Sequence, residues 1–581
     1  MPPRRLARAK LAARAKSGQA RGSRARGGPQ KAPRDASGSS LVWAPLFSIA
    51  AAAFAVEIPF FFRGTPSGHD VEFHLYSWLE VLSQWKQGIV YPRWAAMAHF
   101  AYGEPRFIFY PPASWTLGAA LSAIFPWTLV PSVYIWIVLV AAGVSMFVLA
   151  RQWLDRRDAT FAAVLYAVNP YHLVIVYWRS AFAELLAGSL LPLVLLLLLR
   201  ADEKGRRVTV YLALVLGCAW LINAPAAVMI HYSLALLMVV IAWQRRSPLV
   251  WVVGTTAVVL GAALAAFYLL PAVYEQKWVN IAQAVSAGSR PLDNFLFVHT
   301  TDPEHDTFNH LISWVALAEI LLTFAAAWGA RSWGNRNRQL WYSLVVWAAT
   351  CAVLMLAITG RLWNVLPKLR FMQFPWRWLL CLGVPFTLLI TVGVRRWTMR
   401  LALYVATLCV LAFVWQHFQP PWWDKAADLR EMQDNMATGE GYEGTDEYAP
   451  AGADPSSIKK DARRVAVDGA ARAAIRVSQW SPERKIFTAE MSAPDNLTLR
   501  LFNYPASRVE VNGRQVQAST REGTGQMLVP VEAGANRVQI TFVRTWDRTT
   551  GAWISALALI LLLASTQYEV ELTWIPNREV K

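Results

Sequence analysis

Long apolar segments separated by short polar connections make up most of the chain. A helix needs about 20 apolar residues to cross the hydrocarbon core of a bilayer, and several segments reach that length. We predict spans at about 42–62, 131–150, 159–177, 183–200, 208–224, 226–243, 249–271, 311–330, 340–358, 376–394, 401–417 and 549–565. The pattern therefore indicates an α-helical polytopic membrane protein with about twelve transmembrane helices.

Two regions depart from this pattern. The apolar segment 113–126 is short and has prolines on both sides, so we expect an interfacial or half-inserted helix there. From about residue 462, short strand-like segments recur, separated by turn signals such as Asn512-Gly513. These segments lie at 473–477, 485–491, 497–502, 508–511, 526–531 and 537–543. They predict a small β-sandwich-like module that accompanies the helices.

Composition supports a membrane protein, since 55% of the residues are hydrophobic and only 16% are charged. The net charge of +18 does not indicate nucleic acid binding, because eleven Lys and Arg residues fall within residues 1–40, beside the single acid Asp35. We interpret this stretch as a disordered basic tail that lies beside anionic lipid headgroups. All four cysteines fall in apolar segments, so a disulfide framework is not indicated.

Clusters of Lys and Arg fall on alternate connections and predict the orientation of the chain. Both termini are expected in the cytoplasm of a bacterium, with the helices in its inner membrane. The predicted layout is a tail at 1–40, a transmembrane domain at 41–417 with a first external loop at 63–130, an extracytoplasmic domain at 418–547 that is β-rich from about 462, a last helix at 548–566 and a cytoplasmic tail at 567–581.

A polar signature follows the first span, in the stretch Arg63-Gly-Thr-Pro-Ser-Gly-His69-Asp70-Val-Glu-Phe-His74. If a helix begins here, Asp70 and His74 lie one turn apart on the same face. A partly buried carboxylate suits the removal of a proton from an acceptor hydroxyl, so Asp70 is the candidate base and His74 its orienting partner. The alternative is that Asp70 only caps the helix. His69 and Tyr110 of the same loop are candidate substrate contacts.

Two further acids could take part. Glu57 lies inside the first span near its outer end, where an acid is costly and suggests a function, although it could simply pair with Arg63. Arg179 and Glu184 lie five residues apart in a short outer turn. A structural ion pair is the favoured interpretation of these two residues, and a part in the substrate pocket is the alternative.

A basic segment at 361–378 lies on the predicted outer side, against the usual charge distribution. Its cations are Arg361, Lys368, Arg370 and Arg377, and aromatic residues surround them. Arginine binds phosphate oxygens in pairs, so we expect these residues to hold the phosphate of a lipid-linked donor. Snorkelling of the cations toward ordinary lipid headgroups is the alternative.

Residues of types that ligate metals gather between 293 and 310, where the sequence holds Asp293, His299, Asp302, Glu304, His305, Asp306 and His310. Their spacing matches no fixed metal motif, and a solvated loop is the favoured interpretation. With His74, the residues His305 and Asp306 are the weak candidate ligands. No cofactor is identified, and the need for a divalent metal stays open.

Three motifs resemble a family of bacterial membrane proteins described as 6-pyruvoyl-tetrahydropterin synthase related, which are grouped with the GT-C glycosyltransferases. They are Gly68-His-Asp70 with His74, Gly103-Glu-Pro105 with Phe109-Tyr-Pro-Pro112, and Gln373-Phe-Pro-Trp-Arg377. The pattern Phe502-Asn-Tyr-Pro505 with Val511-Asn-Gly513 resembles the β-domain of that group. Pterin-synthase chemistry itself is not expected, because no cluster of histidines that would hold zinc stands out.

The resemblance implies a GT-C core whose active site faces outward. Its donor would be a polyprenyl-phosphate-linked sugar, its acceptor a cell-envelope glycan, lipid or protein, and its base a first-loop acid, here Asp70. The first loop lacks an Asp-x-Asp pair and has only Asp70-Val-Glu72, which puts metal dependence in question. A transporter or flippase of lipid-linked saccharides, and a non-catalytic envelope assembly factor, are the alternative functions.

Overall fold

The computed structural model describes residues 43–201, 205–417 and 420–572. The predicted tail at 1–40 and most of the predicted tail at 567–581 lie outside the described residues. Within the described ranges the chain forms a helical membrane part and a C-terminal β-domain. The predicted fold class is therefore confirmed.

Nine helices in the described ranges are long and apolar enough to cross a membrane. They are Trp43–Arg63, Trp127–Ala150, Arg156–Arg179, Phe182–Leu199, Gly205–Ile222, Ala224–Arg245, Pro303–Gly329, Pro375–Gly393 and Trp546–Ser565. Two bent pairs raise the number to eleven if each pair is one span, namely Leu249–Leu264 with Ala266–Trp278 and Arg338–Leu354 with Ala357–Val365. The predicted span at 401–417 lies in the helix Trp397–His417, whose apolar stretch Trp397–Val410 is shorter than a full span, so the count of twelve is not confirmed.

Shorter helices fill the first loop and the segment before the β-domain. They are Val71–Lys86, Ala98–Ala101, Arg106–Phe109, Pro112–Ile124 and Ala426–Thr438, and a further short helix, Arg331–Arg336, follows the Pro303–Gly329 helix. The Pro112–Ile124 helix occupies the segment predicted to be interfacial. It packs beneath Val71–Lys86 where Gly118 meets the indole of Trp78, and a Cβ on Gly118 would lie 2.2 Å from that ring. Close packing of these two helices makes the first loop a folded unit.

Eleven strands, β1 to β11, complete the fold. They are Thr65–Pro66, Trp423–Asp424, Val465–Val467, Ala473–Trp480, Arg484–Met491, Asp495–Phe502, Ser507–Val511, Arg514–Val516, Ser519–Thr520, Gln526–Val531 and Gly534–Phe542. The last nine form two antiparallel sheets with strand orders β4-β5-β11-β7-β8 and β3-β6-β10-β9. Buried side chains of both sheets form one core, which includes Phe487, Leu499, Met527 and Val538. The β-domain is therefore a sandwich.

The β-domain contacts the first loop directly. Strand β1 in that loop pairs with β2, which lies in the segment before the β-domain. Within the β-domain, the amide of Phe502 donates to the carbonyl of Tyr102 over 3.1 Å. Farther along the chain, both carboxylate oxygens of Glu275 lie 2.7 Å from the guanidinium of Arg548, and the hydroxyl of Tyr504 donates to the same carboxylate. These contacts place the first loop, the chain near residue 275 and the β-domain on the same side of the membrane helices.

Candidate active site

The turn before Asp70 is hydrogen-bonded to residues 179–180, where the helix that begins at Arg156 ends. The helix that begins at Arg156 ends in a single π-helical turn, Ile175–Arg179, after which Ser180 has a left-handed φ of 49°. The Asp70 amide donates to the carbonyl of Arg179 over 2.9 Å, and the Gly68 amide donates to the hydroxyl of Ser180 over 2.9 Å. A Cβ on Gly68 would lie 2.4 Å from the Trp178 carbonyl oxygen, so only glycine fits.

Asp70 immediately precedes the Val71–Lys86 helix, but its side chain makes no capping hydrogen bond. The interpretation of Asp70 as a cap alone is therefore wrong. The carboxylate instead lies 3.5 Å from the guanidinium of Arg179, and 40% of its side chain is exposed. A carboxylate held by one buried cation and open to solvent can accept a proton from a bound substrate.

His74 lies one turn after Asp70, as its spacing predicts, and its ring is buried between Tyr110 and Phe182. Its Nδ1 is 3.3 Å from the Tyr110 hydroxyl. Burial lowers the pKa of His74 to about 4, and the neighbouring Asp70 only partly offsets that effect. The imidazole is therefore neutral at pH 7. It does not belong to the group of metal-ligating side chains found in the described ranges, so its assignment as a ligand has no geometric support.

Behind Asp70, two arginines and a second carboxylate form a buried charge chain. Arg179 Nη1 lies 2.6 Å from Glu184 Oε2, and Arg377 Nε lies 3.1 Å from the same oxygen. The hydroxyl of Tyr171 donates to Glu184 Oε1 over 2.6 Å. The group holds two guanidinium groups and two carboxylates, and both buried arginines pair with the one buried carboxylate, Glu184. We call Asp70, Arg179, Glu184 and Arg377 the charge chain.

Aromatic rings enclose the two guanidinium groups of the charge chain. Arg179 lies over Trp376 at 4.8 Å from the ring centroid, and Arg377 lies over Phe374 at 4.7 Å. The two rings stack on each other at 4.8 Å. The segment Gln373–Arg377 therefore shields the buried end of the chain and leaves Asp70 as its open end. This juxtaposition joins three regions that are far apart in the sequence.

Arg377 is not available as a free phosphate ligand in this conformation. Only 7% of the residue is exposed, and its guanidinium also donates to the carbonyl of Met372 over 2.8 Å. The other predicted phosphate ligands, Arg361, Lys368 and Arg370, are exposed. Lys368 and Arg370 both lie beside the ring of Phe371. Phosphate binding stays a prediction, and the geometry favours these three exposed cations.

Glu57 lines a different part of the molecule. It borders a cavity of about 590 Å³ whose lining also includes Arg63, Asp424 and Lys425 but no member of the charge chain. Only 5% of the residue is exposed, and its Oε1 has no hydrogen-bond partner among the described residues. The structure gives no ion pair between Glu57 and Arg63 within the described ranges. Its predicted role in catalysis therefore lacks a geometric link to Asp70.

His69 is exposed at the mouth of the site, where its ring contacts Phe308 at 5.1 Å and Trp422 at 5.9 Å. Tyr110 is half-buried, and burial raises the pKa of its hydroxyl well above the usual value. This hydroxyl is therefore a proton donor rather than an anion at neutral pH. Both residues border Asp70 or His74, which is compatible with their predicted role as substrate contacts.

A second buried charge cluster lies in the first loop and joins it to the chain before the β-domain. The carboxylate of Glu104 pairs with Arg106, has His99 Nε2 at 2.9 Å, and accepts from the Thr445 amide over 2.9 Å. Burial would raise the pKa of Glu104, but Arg106 and His99 lower it to about 2. We call Glu104, Arg106 and His99 the closed cluster, because none of the three is more than 3% exposed in its side chain.

Glu319, in the middle of the Pro303–Gly329 helix, was not predicted as a site residue from the sequence. It borders an apolar groove of about 490 Å³ between this helix, Phe386 and the Trp397–His417 helix. Its Oε1 accepts from the amide of Tyr171 over 3.2 Å, and its Oε2 has no partner within the described ranges. A single acid in an otherwise apolar span is the signal that could have identified it.

Residues 107–419 match the family described as 6-pyruvoyl-tetrahydropterin synthase related domain, membrane protein, and this match covers more than half of the chain. It includes Arg179, Glu184 and Arg377 but begins after Asp70, so the motif around Asp70 and the β-domain pattern lie outside the matched residues. The crystal structure of ArnT from Cupriavidus metallidurans bound to undecaprenyl phosphate has 14% sequence identity and a TM-score of 0.31, and the overlap covers 61% of this chain and 79% of that one. An overlap at that TM-score carries no argument about fold or function. The sequence has no match among curated proteins. On the strength of the family match, the chain belongs to the 6-pyruvoyl-tetrahydropterin synthase related family of membrane proteins.

Proposed function

We propose that this protein is a GT-C-type glycosyltransferase of the bacterial inner membrane. In this proposal it moves a sugar from a polyprenyl-phosphate-linked donor to a cell-envelope acceptor on the extracytoplasmic face. The observation that carries the proposal is the half-exposed carboxylate of Asp70 at the open end of the charge chain. Orientation follows the predicted distribution of Lys and Arg, and it puts this carboxylate on the outer side.

Asp70 would act as the general base. The acceptor hydroxyl gives its proton to the Asp70 carboxylate as its oxygen forms a bond to the anomeric carbon of the donor sugar. The bond between that carbon and the phosphate oxygen breaks, and its electron pair leaves with the polyprenyl phosphate. Arg179 is a positioning residue, because it holds the carboxylate from behind while Glu184 holds Arg179.

Charge on the departing phosphate needs a cation outside the charge chain. The exposed side chains Arg361, Lys368 and Arg370 supply it in this proposal, and Arg377 orients Glu184 instead. We propose no metal step at Asp70, since its partner is a guanidinium rather than a second carboxylate. The sugar, the acceptor and the length of the lipid are open in this proposal.

The test is a donor-cleavage assay with purified protein in nanodiscs. Wild type and Asp70→Asn would be offered a panel of polyprenyl-phosphate sugars, with and without divalent metals, and release of polyprenyl phosphate would be measured. Glu72→Gln is the matched control, because Glu72 is an exposed acid two residues away, in the first turn of the helix that Asp70 precedes. Release by wild type and Glu72→Gln alone supports the proposal. Equal release by Asp70→Asn, or no release by any protein, contradicts it.

A transporter or flippase of lipid-linked saccharides is the second candidate, and Glu319 is the observation that favours it. Transporters place ionisable groups near the middle of the membrane, and Glu319 is a buried acid within a span. A flippase would move a fluorescent lipid-linked saccharide across proteoliposomes, and Glu319→Gln would stop that movement. Transfer that depends on Asp70 and persists in Glu319→Gln would exclude this alternative.

A further inference from the structure

Three side chains of ligand type meet where an outer loop folds back on a membrane helix. His299 comes from the loop, and Asp306 and His310 come from the first two turns of the Pro303–Gly329 helix. One ligand atom from each lies within 4.8 Å of the other two. The closest pair, His299 Nδ1 and Asp306 Oδ2, is 3.3 Å apart. None of these residues belongs to the charge chain.

The backbone on both sides of His299 is fixed to the helix. The amide of Thr300 donates to Asp306 Oδ1 over 3.0 Å, and the side-chain amide of Asn309 donates to the Val298 carbonyl over 2.8 Å. Asp306 therefore has one oxygen held by the loop and the other turned toward His299. Outer hydrogen bonds of this kind orient ligands in metal sites.

His310 has a ring nitrogen without a hydrogen-bond partner among the described residues. Asp306 and His310 lie four residues apart, so the helix puts them on the same face. The Nε2 atom of His310 is buried and has no hydrogen-bond partner in the described part of the chain. Buried polar atoms are rarely left without a partner, because their desolvation costs free energy. A cation bound through Nε2 of His310 would satisfy this atom.

We propose that His299, Asp306 and His310 bind a divalent transition-metal ion of the Zn²⁺ type. Two imidazoles and one carboxylate favour such an ion, whereas Mg²⁺ and Ca²⁺ prefer ligand sets made only of oxygen. Bonds of about 2.1 Å in a tetrahedron separate ligand atoms by about 3.4 Å, close to the 3.3 Å between His299 Nδ1 and Asp306 Oδ2. The ligand atom of His310 lies within 4.8 Å of the other two, and the 71% exposure of His299 leaves room for a water ligand.

Bound metal would fix the loop to the outer end of the helix. Two residues after Asp306, Phe308 contacts the His69 ring at 5.1 Å, and Asp70 follows His69 in the chain. The proposed metal site therefore lies close enough to affect the position of His69, the residue before Asp70. Metal binding itself does not rest on the proposed transferase activity, and it can be tested separately.

The first experiment measures metal content in the full-length protein, purified in detergent without a histidine tag. The protein is stripped with a chelator, reloaded with Zn²⁺ and washed, and its zinc is measured by mass spectrometry. We expect about one retained ion per chain in wild type, and loss of that ion in His299→Ala and in His310→Ala. His305→Ala is the matched control, because His305 lies on the same helical turn but outside the group. Equal zinc in wild type and both ligand variants would overturn the proposal, as would equal loss in the control.

A second experiment keeps the test valid if a variant is less stable. Thermal unfolding is followed with Zn²⁺, with Mg²⁺ and with chelator present. A ligand that binds only the folded state raises the midpoint of unfolding, so Zn²⁺ but not Mg²⁺ should raise it in wild type and in His305→Ala. In His299→Ala the Zn²⁺ concentration needed for that shift should rise at least about tenfold. An equal response to Zn²⁺ in His299→Ala would contradict the site.

Discussion

The charge chain and the closed cluster contain similar side chains but differ in whether one carboxylate is exposed to solvent. Both pair a buried carboxylate with buried arginine side chains. Glu104 is 0% exposed in its side chain and receives contacts from three groups, whereas Asp70 is 40% exposed and has one. Burial of charge therefore does not by itself mark a catalytic site. The opening of one carboxylate to substrate is the difference that matters.

The largest expected effect is a difference in stability between a variant of the closed cluster and a variant of the charge chain. Glu104→Gln should destabilise the protein by about 3–5 kcal/mol, because it leaves Arg106 buried without its partner. Asp70→Asn should cost at most about 1 kcal/mol, since that carboxylate is partly exposed. Thermal unfolding in detergent measures both changes. Similar losses in the two variants would mean that the charge chain is as structural as the closed cluster.

Lowering the pH should reduce the stability of the protein, because His74 is buried in its neutral form. The unfolded chain binds a proton near pH 6.5, whereas burial lowers the pKa of His74 in the folded state to about 4. Protons therefore favour the unfolded state, and this residue's share of stability falls by about 3 kcal/mol between pH 6.5 and 4. His74→Gln should reduce that slope when unfolding is measured across this range. An unchanged slope would show that His74 is not buried in its neutral form.

The sequence predicted individual pairs of residues in the charge chain, but not that the pairs meet in one group. Local spacing predicted that Asp70 and His74 lie one helical turn apart, and the five-residue separation of Arg179 and Glu184 across a short turn predicted an ion pair between them. Arg377 lies almost 200 residues beyond Glu184, and no sequence pattern predicted that it shares the same carboxylate. The bends in two spans could not be predicted either, because hydropathy reports the length and polarity of a segment but not its direction. The His299 group required a loop to fold back on a helix, so its spacing matched no motif.

A smaller effect should come from the turn that positions Asp70. Gly68→Ala would place a Cβ 2.4 Å from the Trp178 carbonyl oxygen and push the turn away from Arg179. We expect a loss of about 1–3 kcal/mol in stability and a fall in kcat for donor cleavage. Gly205→Ala is the control, because nothing lies within 4 Å of a Cβ at Gly205. Wild-type kcat in Gly68→Ala would show that this contact does not position the base.

The smallest expected effect separates phosphate binding from support of the charge chain. Arg370→Ala should raise the donor KM about two- to fivefold with kcat unchanged, because an exposed cation contributes modestly to binding. Arg377→Ala should lower both kcat and stability, since it leaves Glu184 with one cation fewer. Steady-state kinetics at several donor concentrations distinguish the two patterns. A pure KM effect in Arg377→Ala would instead make it the phosphate ligand.

The central claim is that the open carboxylate of Asp70 takes the acceptor's proton. The most direct measurement is the single-turnover rate of sugar transfer in nanodiscs for wild type, Asp70→Asn and Glu72→Gln. The account predicts a rate about 10²–10⁴-fold lower in Asp70→Asn, with folding intact, and a rate close to wild type in Glu72→Gln. A wild-type rate in Asp70→Asn would contradict it, because the charge chain would then end in a carboxylate that performs no chemistry.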